Sequence, residues 1–138
     1  KILDRDFSVK GIIDTGNRLK EPITQEPAIV VQYTAIEEIL PEEVLECLVS
    51  YDDFYLDIDL ENLSNSPLAS RLCFIPYSSL GRKKGFLLGI RPEEVKVWDK
   101  DGEVEIMGKA VIALCREAFA GKNDYQALLP PALLVDST

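Results

Sequence analysis

One short segment concentrates the residues able to do chemistry: Gly11-Ile12-Ile13-Asp14-Thr15-Gly16-Asn17. It places a carboxylate directly after an apolar run. The Thr15 hydroxyl is free to bond within the turn or across an interface. Gly16 has no Cβ, so backbone N–H groups can approach the Asp14 carboxyl closely. Two carboxylates held about 3 Å apart cannot both ionise, and they share one proton. The ionised member takes a proton from water as the water attacks a peptide carbonyl. The protonated member hydrogen-bonds the carbonyl oxygen. On its own, Asp-Thr-Gly also suits an ordinary turn at a strand end, where all three residue types are frequent.

Composition narrows the chemistry. The 138 residues include no histidine, which removes Ser-His-Asp and Cys-His nucleophilic sites and most zinc and iron sites. Carboxylates and water remain, and an aspartic peptidase needs only those. No metal and no cofactor are expected. The chain carries a single Asp-Thr-Gly, and its length suits one domain over residues 1–138. A second carboxylate must therefore come from Asp14 of a second copy across a two-fold axis, as a homodimer.

Other features carry less. Asp57-Ile58-Asp59 lacks the following residues of a phosphatase motif, and Asp99-Lys100-Asp101-Gly102 lacks the terminal glutamate of a calcium loop. Cys47, Cys73 and Cys115 have no paired spacing and read as buried free thiols. The net charge is −9, with twelve acidic residues and no Lys or Arg between positions 21 and 70. Such a surface repels a phosphate backbone, so no nucleic-acid partner is expected. The chain starts at Lys1 and is read as a piece or processed form of a longer protein.

The elements that must position Asp14 are mostly strands. Residues 7–13 read as a strand entering the core, and 28–33 as a buried strand. Thr34 and Glu37 have capping-box spacing, which predicts a helix there. Pro41, Glu42 and Glu43 open a second helix, with Val44, Leu45, Leu48 and Val49 on one face. Residues 54–60 alternate as a half-exposed strand. Strands at 71–77 and 86–90 flank a hairpin tip at 78–85. Strands at 94–98 and 104–106 flank the Asp101-Gly102 turn. An apolar strand at 109–114 leads into a helix at 116–120. A short helix at 125–129 then ends at Pro130-Pro131.

Two blocks together resemble one family. The stretch from Gly11 to Val31, with Asp14-Thr15-Gly16-Asn17-Arg18-Leu19, then Pro22-Ile23-Thr24 and Pro27-Ala28, resembles the sporulation sigma-E factor-processing peptidases of endospore-forming bacteria. So does Ile75-Pro76-Tyr77-Ser78-Ser79-Leu80-Gly81, followed by Gly85-Phe86-Leu87. The resemblance spans essentially the whole chain. It implies a mainly β fold with short helices, in the form of a retropepsin-like acid protease half-barrel. It implies Asp14 as the catalytic residue, Thr15, Gly16 and Asn17 completing the active-site turn, and a flap containing Ser79, Leu80, Gly81 and Gly85. The Asn17 amide either donates to an outer oxygen of the Asp14 carboxyl or faces solvent. Ala113 stands where the retroviral enzymes carry glycine.

The same resemblance implies a protein substrate, the sigma-E precursor, and an activator secreted by the forespore. It implies a missing membrane-spanning half in the mother-cell membrane at the sporulation septum, with this domain cytoplasmic. A non-catalytic dimerisation or regulatory domain that keeps the acid-protease fold is the competing expectation.

Overall fold

The computed structural model describes residues 2, 5–50, 63–78, 84–98, 105–107, 109–115 and 125–131. The strands are β1 (Gly11–Ile13), β2 (Ala28–Gln32), β3 (Leu72–Ser78), β4 (Lys84–Ile90), β5 (Lys96–Trp98), β6 (Glu105–Met107), β7 (Val111–Cys115) and β8 (Ala127–Leu129). The helix α1 spans Glu42–Ser50. Six strands form one open, mixed sheet in the order β1-β8-β2-β7-β4-β3, and β5 with β6 makes a separate ribbon. The fold is mainly β, as the sequence predicts.

Central strands β2 and β7 run parallel, in register from Ala28↔Val111 to Gln32↔Cys115. Both are buried on both faces, which is why each reads as an unbroken apolar run. On one face, Ile29, Val31, Ile112 and Leu114 meet Leu88 and Ile90 of β4 and Val44 and Leu48 of α1. On the other, Ala28, Val30, Val111 and Ala113 pack with Cys73 and Ile75 of β3. Leu19, from the loop after the Asp14 turn, and Leu128 cover that second face. Each large side chain buried here contributes roughly 1.5–3 kcal/mol.

Helix α1 begins where Pro41, Glu42 and Glu43 predict. The Pro41 carbonyl accepts the N–H groups of Val44 and Leu45, both at 3.1 Å. Proline has no N–H to lose in a first turn, and the two glutamates lie at the positive end of the helix.

Three expectations need correction. The helix predicted from Thr34 and Glu37 is instead two 3₁₀ turns, Tyr33–Ala35 and Glu37–Ile39, without a side-chain cap. Ile36 and Ile39 are both buried, and a spacing of three matches the three residues per turn of a 3₁₀ helix. The short helix expected at 125–129 is strand β8, which fits between β1 and β2. An apolar run this short does not reveal its own period. The strand at 7–13 shrinks to Gly11–Ile13 and lies at the sheet edge, with Ile12 42% and Ile13 46% exposed. Its strand part stays outside the core, whereas Phe7 and Val9 ahead of it pack against the core.

Hairpin β3–β4 forms with Ser78 opposite Lys84, and β5–β6 with Trp98 opposite Glu105. The strand expected at 54–60, the helix at 116–120 and the tips of both hairpins lie outside the described residues.

Candidate active site

Asp14 follows the last residue of β1 at the end of the sheet where β2 and β7 begin. Parallel pairing of β1 with β8 brings Ile13 opposite Leu129, and the Asp14 N–H donates to the Leu129 carbonyl at 3.0 Å. The Asn17 N–H donates to the Asp14 carbonyl at 2.9 Å, which closes a tight turn over the four residues. Inside it the Gly16 N–H donates to Asp14 Oδ1 at 2.9 Å. The carboxyl is half-buried and held by backbone, as the sequence requires of a reacting carboxylate. Gly16 serves here by leaving space: a Cβ on it would lie 3.3 Å from Asp14 Oδ1.

Thr15 is exposed, and its hydroxyl finds no partner among the described residues. Asn17 behaves differently from both expectations for it. It is 6% exposed, so it does not face solvent. Its amide nitrogen donates to the carbonyls of Ala28 at 2.9 Å and Leu128 at 3.2 Å, not to the Asp14 carboxyl. Its Oδ1 accepts the Leu19 N–H at 3.2 Å. Main-chain groups on three segments, one buried and two partly buried, engage the side chain in place of the carboxyl.

The loop from Asn17 returns to β2 through a turn that the sequence showed only as punctuation. Glu21 is its centre, with 2% of its surface exposed. Glu21 Oε2 accepts the N–H of Thr24 at 2.6 Å, the N–H of Ile23 at 3.1 Å and the Thr24 hydroxyl at 2.8 Å. The Thr24 N–H, ahead of the others, holds the Glu21 carboxyl below its ordinary pKa, although burial pushes the other way. Gln25 closes the turn with φ of 63°, donating its N–H to the Glu21 carbonyl. The signal that would have found Glu21 is a carboxylate three residues before a threonine, with proline between them.

The sites therefore separate. Thr15, Gly16 and Asn17 gather around Asp14. Gly85 lies in β4 opposite Tyr77, with β8, β2 and β7 between its strand and β1. Ser79, Leu80 and Gly81 lie outside the described residues. Cys47 and Cys73 are buried and Cys115 is half-buried, and none of the three is in a disulfide. Burial pushes the Cys73 thiol up to about 11. Among the described residues no group of carboxylates and thiols is placed to hold a metal ion. No helix among them is long and apolar enough to cross a membrane.

Residues 1–133 match the family described as Sporulation factor SpoIIGA. The chain is 27% identical over 132 residues to the sporulation sigma-E factor-processing peptidase of Priestia megaterium, covering 96% of this chain and 41% of that protein. It is 27% identical over 135 residues to a putative sporulation sigma factor-processing peptidase of Bacillus thuringiensis subsp. kurstaki, covering 98% of this chain and 81% of that one. It is 30% identical over 129 residues to a probable sporulation sigma-E factor-processing peptidase of Clostridium acetobutylicum, covering 91% and 37%. The chain thus spans well under half the length of two of these three relatives. No solved structure matches it.

Proposed function

This chain belongs to the Sporulation factor SpoIIGA family of peptidases, and we propose that it is the catalytic part of an aspartic endopeptidase that works as a homodimer and removes the pro-segment of a sigma-E precursor. The observation that carries this reading is the Asp14 turn. A half-buried carboxyl with one oxygen fixed by the Gly16 N–H stands immediately beside a strand edge that is open among the described residues. The reaction needs a second carboxylate, and the chain has one Asp-Thr-Gly. A two-fold partner at that edge supplies Asp14 of its own.

The surface next to Asp14 suits such a partner. Ile12 and Ile13 are exposed on β1, whose outer side has no neighbouring strand among the described residues. Exposed apolar edge strands are surfaces that proteins ordinarily cover. The exposed Thr15 hydroxyl lies in the same turn, with no partner among the described residues, and would bond across the interface. In the assembled pair, the ionised Asp14 takes a proton from the attacking water. The protonated Asp14 holds the substrate carbonyl. The paired copies would form a retropepsin-like enzyme. The additional length of the relatives leaves room for a membrane half in the mother cell, through which a forespore-secreted activator would promote assembly, with this domain cytoplasmic.

The test is cleavage of the sigma-E precursor by the full-length parent protein carrying Asp14→Asn. The expected result is loss of processing at unchanged protein level. Retained processing would overturn the catalytic assignment in favour of a non-catalytic dimerisation or regulatory domain.

A further inference from the structure

We infer that Asn17 is the positioning residue of this site, acting through the backbone of β2 and β8 and not through contact with substrate. This rests on the assignment of Asp14 as the reacting carboxylate. The β2–β8 register comprises Val30↔Leu128 and Val31↔Ala127, and the Gln32 N–H extends it at the far end by donating to the Gln126 carbonyl. At the end nearer Asp14, the Asn17 amide nitrogen joins the two strands by donating to Ala28 O on one and Leu128 O on the other. One side chain thus substitutes for a rung of the sheet.

The position of that rung gives it consequence for Asp14. The carbonyl after Leu128 is that of Leu129, which accepts the Asp14 N–H. On the other side, the Asn17 backbone N–H closes the turn on the Asp14 carbonyl. Its Oδ1 fixes Leu19, whose carbonyl accepts the Ala28 N–H and whose side chain covers the second face of the sheet. Asn17 therefore ties the turn that bears the carboxyl to both strands that flank it. A side chain that lines a substrate groove would be exposed; this one is buried and fully engaged with main chain.

Amide chemistry makes the role specific. The position needs two N–H donors aimed at carbonyls and one acceptor facing an N–H, which asparagine supplies. Aspartate keeps the shape and the acceptor. When ionised it turns an oxygen toward the two carbonyls, and when protonated it can donate to one of them. Strands β2 and β8 contain no titratable side chain. Asp14 and Arg18 beside it, with Lys20 and Glu21 further along the loop, are the charged groups close in the chain.

The experiment uses the full-length protein with its sigma-E precursor, comparing wild type, Asp14→Asn, Asn17→Ala and Asn17→Asp. A carboxyl released by about 1 Å loses about 10²-fold in rate. Asn17→Ala is accordingly expected to lower kcat about 100-fold, with KM within about twofold. The ratio of Asn17→Asp to wild-type rate is expected to rise at least about tenfold as pH falls from about 7 to about 5, as the buried carboxyl gains its proton. Wild-type kcat in Asn17→Ala, or a raised KM with kcat intact, would overturn the inference, and so would a flat Asn17→Asp ratio. If Asn17→Ala is degraded in the cell, the Asn17→Asp ratio decides alone. Cleavage that survives Asp14→Asn would remove the proposed function and this inference together. Cleavage lost in Asp14→Asn but unchanged in both Asn17 variants would remove only this inference.

Discussion

Replacing Gly16 by alanine tests whether the Asp14 carboxyl sits where the reaction needs it. The backbone at Gly16 does not use the left-handed region, so alanine meets no conformational penalty there. Gly16 is exposed, so stability should hardly change. The new Cβ would lie 3.3 Å from Asp14 Oδ1. Comfortable contact starts near 3.5 Å, so the carboxyl must shift by about 0.2–0.3 Å. At about 10²-fold per ångström of misplacement, that shift costs roughly three- to fourfold in rate. The Gly16 N–H···Oδ1 bond, now 2.9 Å, lengthens or tilts, and losing much of a bond worth about 1 kcal/mol adds a factor of up to about five. The expected outcome is a precursor-cleavage rate some 5- to 20-fold below wild type, with an unchanged unfolding midpoint. A wild-type rate would mean that Oδ1 placement does not limit the chemistry. A loss beyond about 10²-fold would mean that the methyl obstructs something besides this oxygen, such as a second chain packed on the turn.

Three further outcomes follow from the loop, the sheet and the edge. Glu21 has a folded-state pKa below its unfolded value because the Thr24 N–H and its companions favour the charged form. Its contribution is therefore fully present above the unfolded glutamate pKa and is lost as pH falls through the folded one; Glu21→Gln should flatten the acid limb of the stability curve, measured by urea unfolding across pH. Gly89 faces Cys73 across the β3–β4 ladder, and a Cβ there would come within 2.7 Å of Cys73 Sγ and 3.0 Å of Ile75 Cγ1. Gly89→Ala should cost about 1–3 kcal/mol by overpacking, and adding Cys73→Ala should recover part of it, with Ile75 accounting for the remainder. Ile13→Lys puts a charge on the exposed β1 edge; it should weaken self-association of the full-length protein, seen by cross-linking, while urea unfolding of the domain stays within about 0.5 kcal/mol of wild type.

The parts of the fold that depend on local pattern were legible from the residues. Strands β2 and β7 declare themselves by apolar runs with β-branched residues, and α1 by Pro41 followed by two glutamates. Hairpin pairing of β3 with β4 follows from turn chemistry between two apolar runs. The parts that depend on distant partners were not. Nothing in Gly11-Ile12-Ile13 distinguishes a core strand from an edge strand, because the difference lies in what sits beside it. Ala127-Leu128-Leu129 has no periodicity to read, and it becomes a strand because β1 and β2 flank it. The Asp-Thr-Gly turn was found by residue type alone. The role of Asn17 depends on carbonyls 11 and 111 residues away, and no spacing rule reaches that far.

One of the elements that local pattern misread also shapes the site. Strand β8 gives Asp14 its main-chain acceptor and gives Asn17 one of its two. It also separates β1 from β2, so among the described strands the one leading into Asp14 is an edge strand and not a central one. In the alternative order β8-β1-β2, β1 would have a strand on each side and Asp14 no free edge beside it. With β8 between them, the turn keeps its main-chain anchors on one side, and on the other β1 has no partner among the described residues. That combination suits a site built from two halves: each carboxyl is fixed within its own chain, and the exposed isoleucines of an edge strand lie beside it, where a two-fold partner would bring the second carboxyl.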